Sequence, residues 1–129
     1  MARPKEEQPT GGELEVLKVL WDRGPSTVRD VMDVLNESRA RAYTSVMSLL
    51  NVMTDKGLLV REPQGRAFVY RPTMEREATL QRMVGDLLGR AFEGSTSQLV
   101  AHLLDQSQPT ARELTEIRKA IEQYQKDNK

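Results

Sequence analysis

The chain has 129 residues, of which 38% are hydrophobic and 29% charged, and its 19 basic and 19 acidic side chains cancel. The absence of cysteine excludes disulfides, thiolate metal sites and a cysteine nucleophile, and a single histidine argues against histidine-based or metal-dependent catalysis. We expect one or two small domains in a cytoplasmic protein that is not an enzyme, with no cofactor, no metal, no secretory signal and no membrane insertion.

The charge is unevenly distributed along the chain. Residues 1–37 carry five basic and eight acidic side chains, residues 38–72 carry six and two, and residues 73–129 carry eight and nine. A local excess of basic residues allows a small domain to contact phosphates without being basic overall. A scattered, solvated surface would give the same counts, so charge alone leaves nucleic-acid binding undecided.

The first part of the chain has the pattern of three short helices. Residues 1–10 contain two prolines and no apolar periodicity, which predicts a disordered arm. A first apolar stripe ends at Gly24, and Thr27 has the spacing of the N-cap of a second helix. A third helix is predicted from about Ala42 to Lys56, with apolar residues at helical spacing.

After residue 57 the apolar period changes to two, which predicts a β-hairpin with its turn at Pro63-Gln64-Gly65-Arg66. Three helices followed by a hairpin form a helix-turn-helix domain with a wing, predicted over residues 11–73. Because each element is too short to be stable alone, all must share one core. The predicted core residues are Leu17, Trp21, Leu35, Val46, Leu50 and Leu58.

Residues 74–129 have the pattern of three amphipathic helices. Breaks are predicted near Gly94 and Pro109, and Thr110 with Glu113 three residues later has the spacing of a capping box at the start of the last helix. The apolar stripes are too thin to build a core in one copy, so we expect a dimerisation domain buried against a second copy of the chain. Packing of these helices on the first half is the alternative. The predicted interface residues are Leu80, Leu87, Leu99, Leu103, Ile117 and Ile121.

Functional residues are predicted at the start of the third helix and in the hairpin turn. In a helix-turn-helix protein, the second helix of the motif enters the major groove with its first residues at the base edges. Hydroxyl groups there can donate or accept hydrogen bonds, and nearby arginines can reach phosphates. The candidate DNA-binding residues are Arg39, Arg41, Tyr43, Thr44, Ser45, Ser48 and Arg66.

These candidates also have purely structural explanations. Thr44 and Ser45 could cap the third helix, Tyr43 could pack on the core, and Arg66 could be a solubilising turn residue. The sequence by itself does not distinguish these roles from DNA contacts.

The chain contains the segments GELEVLKVLWDRGPSTVRDVMDVLN, AYTSVMSLLNVMTDKGLLVREPQGRAFVYRP and LVAHLL. These segments resemble the BlaI/MecI family of penicillinase and methicillin-resistance repressors, and the likeness runs from about Gly12 to about Tyr124. The resemblance implies a winged-helix repressor that binds palindromic double-stranded operator DNA as a homodimer, through protomers interlocked by the C-terminal helices.

The resemblance also implies regulation and particular site residues. Family members often control β-lactamase or penicillin-binding-protein genes beside a membrane sensor with a metalloprotease domain, and cleavage in the C-terminal domain releases the DNA. By position, the family's base-contacting segment matches Tyr43, Thr44, Ser45 and Ser48, and its wing tip matches Arg66.

The sequence departs from the family pattern at three points. Val52 stands where members commonly carry a basic residue. The predicted cleavage segment is Ala101-His102-Leu103, in which His102-Leu103 replaces the Asn-Phe pair that is cut in the staphylococcal members. The cysteine cluster of a copper-responsive branch is missing, which excludes copper sensing by that route.

Other functions are compatible with the same fold. A winged-helix regulator could be controlled by a small-molecule ligand between its domains, and a winged helix could also bind only protein. The polar start of the third helix and the basic excess around it disfavour the protein-binding alternative. An enzyme is disfavoured because no nucleophile–base pair or metal set has a recognisable spacing.

Overall fold

The computed structural model describes residues 8–129, so most of the predicted disordered arm lies outside the described residues. The observed elements confirm a mainly α chain with one small hairpin. In chain order they are α1 (Gly11–Arg23), α2 (Val28–Leu35), α3 (Tyr43–Asp55), β1 (Leu59–Gln64), β2 (Ala67–Pro72), α4 (Arg76–Ala91), α5 (Thr96–Ser107) and α6 (Ala111–Asp127).

Three helices begin with reciprocal capping boxes, in which a threonine hydroxyl and an acidic side chain satisfy free backbone N–H groups. The pairs are Thr10–Glu13, Thr27–Asp30 and Thr110–Glu113. The last two follow the sequence prediction. The first shows that Thr10, which we placed in the arm, is the N-cap of α1.

One core joins α1, α2, α3 and the hairpin. Of the six predicted core residues, Leu17, Leu35, Val46 and Leu50 are buried. The two exceptions are only partly buried at the edge of this core. Trp21 lies at the edge because its Nε1 donates to the carbonyl of Met74, at 3.0 Å.

Leu58 is the other exception, because β1 begins one residue later and its first inward side chain is Leu59. The strands pair antiparallel from Leu59↔Pro72 to Gln64↔Ala67. The turn is therefore Gly65-Arg66, two residues shorter than predicted. Gly65 has φ +64° while Arg66 keeps a negative φ, as in a type II′ hairpin turn with glycine first.

The chain divides into two compact units, the first ending at Val84 and the second being Gly85–Lys129. The division lies inside α4, later than the predicted boundary at residue 73. The first turns of α4 belong to the first unit, where Thr79 is buried and the carbonyl of Met74 accepts from Trp21.

The second unit has little core of its own. In α5 the buried residue is Leu99, and no residue of α6 is buried. Large apolar side chains are instead exposed along this unit, at Leu87, Val100, Leu103, Leu104, Ile121 and Tyr124. Amphipathic helices with uncovered apolar faces are typical of segments that pack against another chain.

Candidate nucleic-acid interface

The exposed side of α3 carries hydroxyl groups. Thr44, Ser45 and Ser48 are all exposed, whereas Val46 and Leu50 on the opposite side are buried. The N-cap position of α3 is Ala42, and no side chain caps this helix. The hydroxyls of Thr44 and Ser45 are thus not used for capping and face solvent at the helix start.

Arg41 has a different environment from the one we predicted. Its guanidinium donates to the backbone carbonyls of Leu35 and Arg39 and to Oε2 of Glu15, the last at 3.1 Å. Its side chain is only 12% exposed. These contacts and its low exposure direct the Arg41 side chain toward the connection before α3 instead of outward. Arg39 is exposed and remains a candidate.

Tyr43 is 43% exposed and does not join the core. The guanidinium carbon of Arg29, in α2, lies 5.8 Å from the centroid of the Tyr43 ring, within cation–π range. Tyr43 also lines a groove together with Arg66 and Phe68 of the hairpin. The structure thus brings together Tyr43 and Arg66, which are far apart in sequence, and adds Arg29 to the site.

Asn51 connects α3 to the hairpin. Its Oδ1 accepts from Nη1 of Arg61 and from the hydroxyl of Tyr70, both at 3.3 Å. Tyr70 is buried and also exchanges two backbone hydrogen bonds with Ser26, in the loop before α2. These contacts hold the hairpin beside α3, so the position of the wing is fixed relative to the hydroxyl face of α3.

A buried ion pair supports the other end of α3. Nζ of Lys56, just after α3, lies 2.8 Å from Oε2 of Glu13, which is 2% exposed. Burial raises the pKa of the Glu13 carboxyl, but hydrogen bonds from Lys56 and from the backbone of Thr10 more than offset that rise. The net result is a pKa below its ordinary value of 4.5.

The sequence analysis missed two residues of this region, Arg29 and Asn51. Arg29 follows the Thr27 cap, at the start of the helix that crosses the DNA backbone in helix-turn-helix proteins, and that position is a usable signal. Asn51 carries no such signal, because its partners belong to the hairpin.

The remaining predicted residues lie in the C-terminal helices. Leu87, Leu103 and Ile121 are exposed, Leu80 and Ile117 are half-buried, and Leu99 is buried. Ala101-His102-Leu103 lies inside α5, and the His102 ring contacts Phe92 edge-on with the centroids 5.1 Å apart. A protease would have to unwind α5 locally to cut there.

Two features are absent from residues 8–129, the part of the chain that the structure describes. No helix in this range has both the length and the apolar character needed to cross a membrane. In the same range, no three His, Cys, Asp or Glu residues form a group that could hold a metal ion.

A family model described as the penicillinase repressor matches residues 9–123. The chain belongs to the penicillinase repressor family. This confirms the predicted likeness to BlaI/MecI proteins, which are transcriptional repressors and not enzymes. A "Penicillinase repressor" of Bacillus licheniformis is 25% identical over 122 residues, covering 95% of each chain. A "Transcriptional regulator BlaI" of Mycobacterium tuberculosis is 34% identical over 98 residues, covering 73% of this chain and 71% of that one.

Solved structures are also similar to this penicillinase repressor family member. A solution structure of monomeric Bacillus licheniformis BlaI with the blaP half-operator has a TM-score of 0.49 and 29% identity, covering 57% of this chain and 89% of that one. The regulator Tm0710 of Thermotoga maritima has a TM-score of 0.48 and 21% identity, covering 89% and 77%.

Proposed function

We propose that this repressor binds double-stranded operator DNA through α3 and the wing. The main supporting observation is the exposed hydroxyl face of α3, formed by Thr44, Ser45 and Ser48, which lies beside a basic wing. None of these hydroxyls caps the helix. Hydroxyls at a helix start can hydrogen-bond base edges, and the threonine methyl can contact a thymine methyl. Arg66 and Arg39 supply the sequence-independent contacts to phosphates.

The proposed active form is a homodimer in the cytoplasm. The second unit leaves the apolar side chains of Leu103, Ile121 and Tyr124 exposed, and a second copy would cover them. Two linked DNA-binding units would occupy two half-sites related by a two-fold axis, which means a palindromic operator. Linkage also strengthens binding, because the second unit binds at a high effective concentration.

Release would follow from separation of the protomers. A cut near Ala101-His102-Leu103, made by a partner protease such as a membrane sensor, would remove the helices that hold the dimer together. The DNA-binding face would be unchanged, and affinity would fall because linkage is lost. By analogy with the family, the regulated genes would be those for β-lactamase or related cell-wall responses.

The test is footprinting of the purified protein on DNA upstream of its own gene, repeated over a salt series. We expect protection of a palindrome whose half-sites lie about one helical turn apart, with affinity falling steeply as salt rises. Equal, weak binding to all DNA would contradict operator recognition. Release of the DNA by a small molecule with the chain intact would contradict the proteolytic mechanism.

A further inference from the structure

A groove with a volume of about 280 Å³ lies between α2, α3 and the hairpin. Arg29 lines its α2 side, Tyr43 its α3 side, and Arg66 and Phe68 its hairpin side. No carboxylate among the described residues lines this groove. The groove therefore has two cationic walls and an apolar, partly aromatic floor.

Within the described residues, the two arginines of the groove differ from several other arginines of the first unit in having no carboxylate partner. Arg23, Arg41 and Arg71 are each paired with a carboxylate. Within residues 8–129, neither Arg29 nor Arg66 forms an ion pair. Their charge is thus available to an anion, and the ring of Tyr43 constrains where the Arg29 guanidinium lies.

We infer that the groove binds one segment of the DNA phosphodiester backbone, with Arg29 and Arg66 contacting phosphates from its two sides. This inference rests on the proposed function and adds Arg29 as a phosphate contact. Tyr43 becomes a positioning residue for Arg29 instead of a base contact. Tyr43 directly precedes Thr44, so a duplex whose bases meet Thr44 runs its backbone past Tyr43. The uncharged sugars then lie on the apolar floor between the phosphates.

The primary test compares Arg29→Ala with wild type on the footprinted operator and on random DNA, over a salt series. We expect about a tenfold loss of affinity on both DNAs, as for one charge-assisted hydrogen bond, and a salt slope smaller by about 1. Arg71→Ala is the matched control. Arg71 is paired with Glu62 across the hairpin, so this change should leave the slope unaltered.

The role of Tyr43 is tested by two substitutions. Tyr43→Phe keeps the ring under the Arg29 guanidinium and should bind like wild type. Tyr43→Ala should lose several-fold in affinity, and adding Arg29→Ala should cause little further loss because the two residues act as one unit. Full, independent losses in the double variant would overturn the positioning role.

A single uncharged methylphosphonate, moved along the operator, locates the contact. At one position it should weaken DNA binding by wild type while leaving DNA binding by Arg29→Ala unaffected.

The outcomes separate the inference from the proposed function. If operator binding by wild type is normal and Arg29→Ala keeps the full salt slope, the inference is wrong and the proposed function stands. Benzoate serves as a probe for a small organic anion. If benzoate changes the DNA affinity of wild type but not of Arg29→Ala, and Arg29→Ala keeps the salt slope of DNA binding, the groove binds a small organic anion and the backbone assignment is wrong. If wild type protects no operator, the proposed function itself fails.

Discussion

Thr44 and Ser48 are the side chains that we expect to contribute most to sequence discrimination. They lie one helical turn apart on the exposed side of α3, so both face the same groove of a bound duplex. Val52, one turn further along, is 49% exposed and apolar. The α3 surface has no charged side chain before Asp55, so the basic charge beside it comes from other elements, at Arg29 and Arg66.

Thr44→Ala and Ser48→Ala should each weaken operator binding by about 1 kcal/mol, comparable to one mismatched base pair. Random DNA should bind as before, because the lost contact is to a base edge. The measurement is affinity for the operator and for variants with one half-site position changed. Asp55→Asn is the control, because Asp55 lies at the end of α3, away from the residues proposed to contact bases. Equal losses on operator and random DNA would rule out base recognition by these hydroxyls.

Arg41→Ala should act through the fold and not through phosphate contact. Its guanidinium ties the carbonyl of Leu35 and the carboxylate of Glu15 to the segment before α3. We expect a loss of about 1 kcal/mol in unfolding free energy, the usual net contribution of an intramolecular hydrogen bond, because only the Leu35 carbonyl is part-buried and the Glu15 carboxylate regains water. The salt slope should be unchanged. Chemical denaturation and salt-dependent binding measure the two quantities. A slope reduced by about 1 would instead make Arg41 a phosphate contact.

At the scale of elements, α3 is held at both ends by α1. Glu15 pairs with Arg41 before α3, and Glu13 pairs with Lys56 after it. Asn51 then joins α3 to the hairpin. The exposed hydroxyl face of α3 is thus connected through these contacts to α1 and to the hairpin, and the capping box of α1 shares Glu13 with the second ion pair.

Because Glu13 takes part in both the capping box and the ion pair with Lys56, we expect the stability of the fold to decrease in acid. Since the folded-state pKa of Glu13 lies below 4.5, its stabilisation is fully present above about pH 4.5 and is lost as the pH falls through that lowered value. Glu13→Gln should lower the unfolding free energy at pH 7 by about 2 kcal/mol and flatten its decline under acid. Glu116→Gln, at an exposed pair with Lys119, should change neither. An identical acid decline in Glu13→Gln would contradict the assignment.

At the scale of the whole molecule, the two units differ in how many hydrophobic residues they bury. The first unit has a buried core of twelve hydrophobic residues, whereas α6 buries none. The exposed apolar surface of the second unit therefore supports the proposal that this region forms a dimer. Leu99 is already buried in the single chain, so substitution there would confound folding with assembly.

Leu87→Asp should convert the proposed dimer to monomer, because a buried unpaired carboxylate is strongly unfavourable at an apolar interface. Leu87 is 46% exposed in the single chain, so the fold of the protomer should survive. Sedimentation gives the mass, and circular dichroism checks helix content. Gln106→Asp, on an exposed polar position of α5, controls for the added charge. A Leu87→Asp variant that stays dimeric would show that the interface lies elsewhere.

Much of the architecture could be predicted because its determinants are local. Glycine at residue 24, the threonine caps at residues 27 and 110, and the change of apolar period after residue 57 all act within a few residues of chain. They predicted the helices and strands to within a few residues. The hairpin turn was placed too broadly, since Pro63 is compatible with a strand at a sheet edge.

The sequence by itself determined the order of elements, the hydroxyl-rich start of α3 and the resemblance to a repressor family. Only the tertiary structure decided which arginines are paired with carboxylates and which line the groove. Arg41 is engaged because Glu15, 26 residues away, packs beside it, whereas Arg29 and Arg66 converge on one groove from separate elements. Periodicity and capping report neighbours along the chain, and the pairing of charged side chains depends on contacts that exist only after folding.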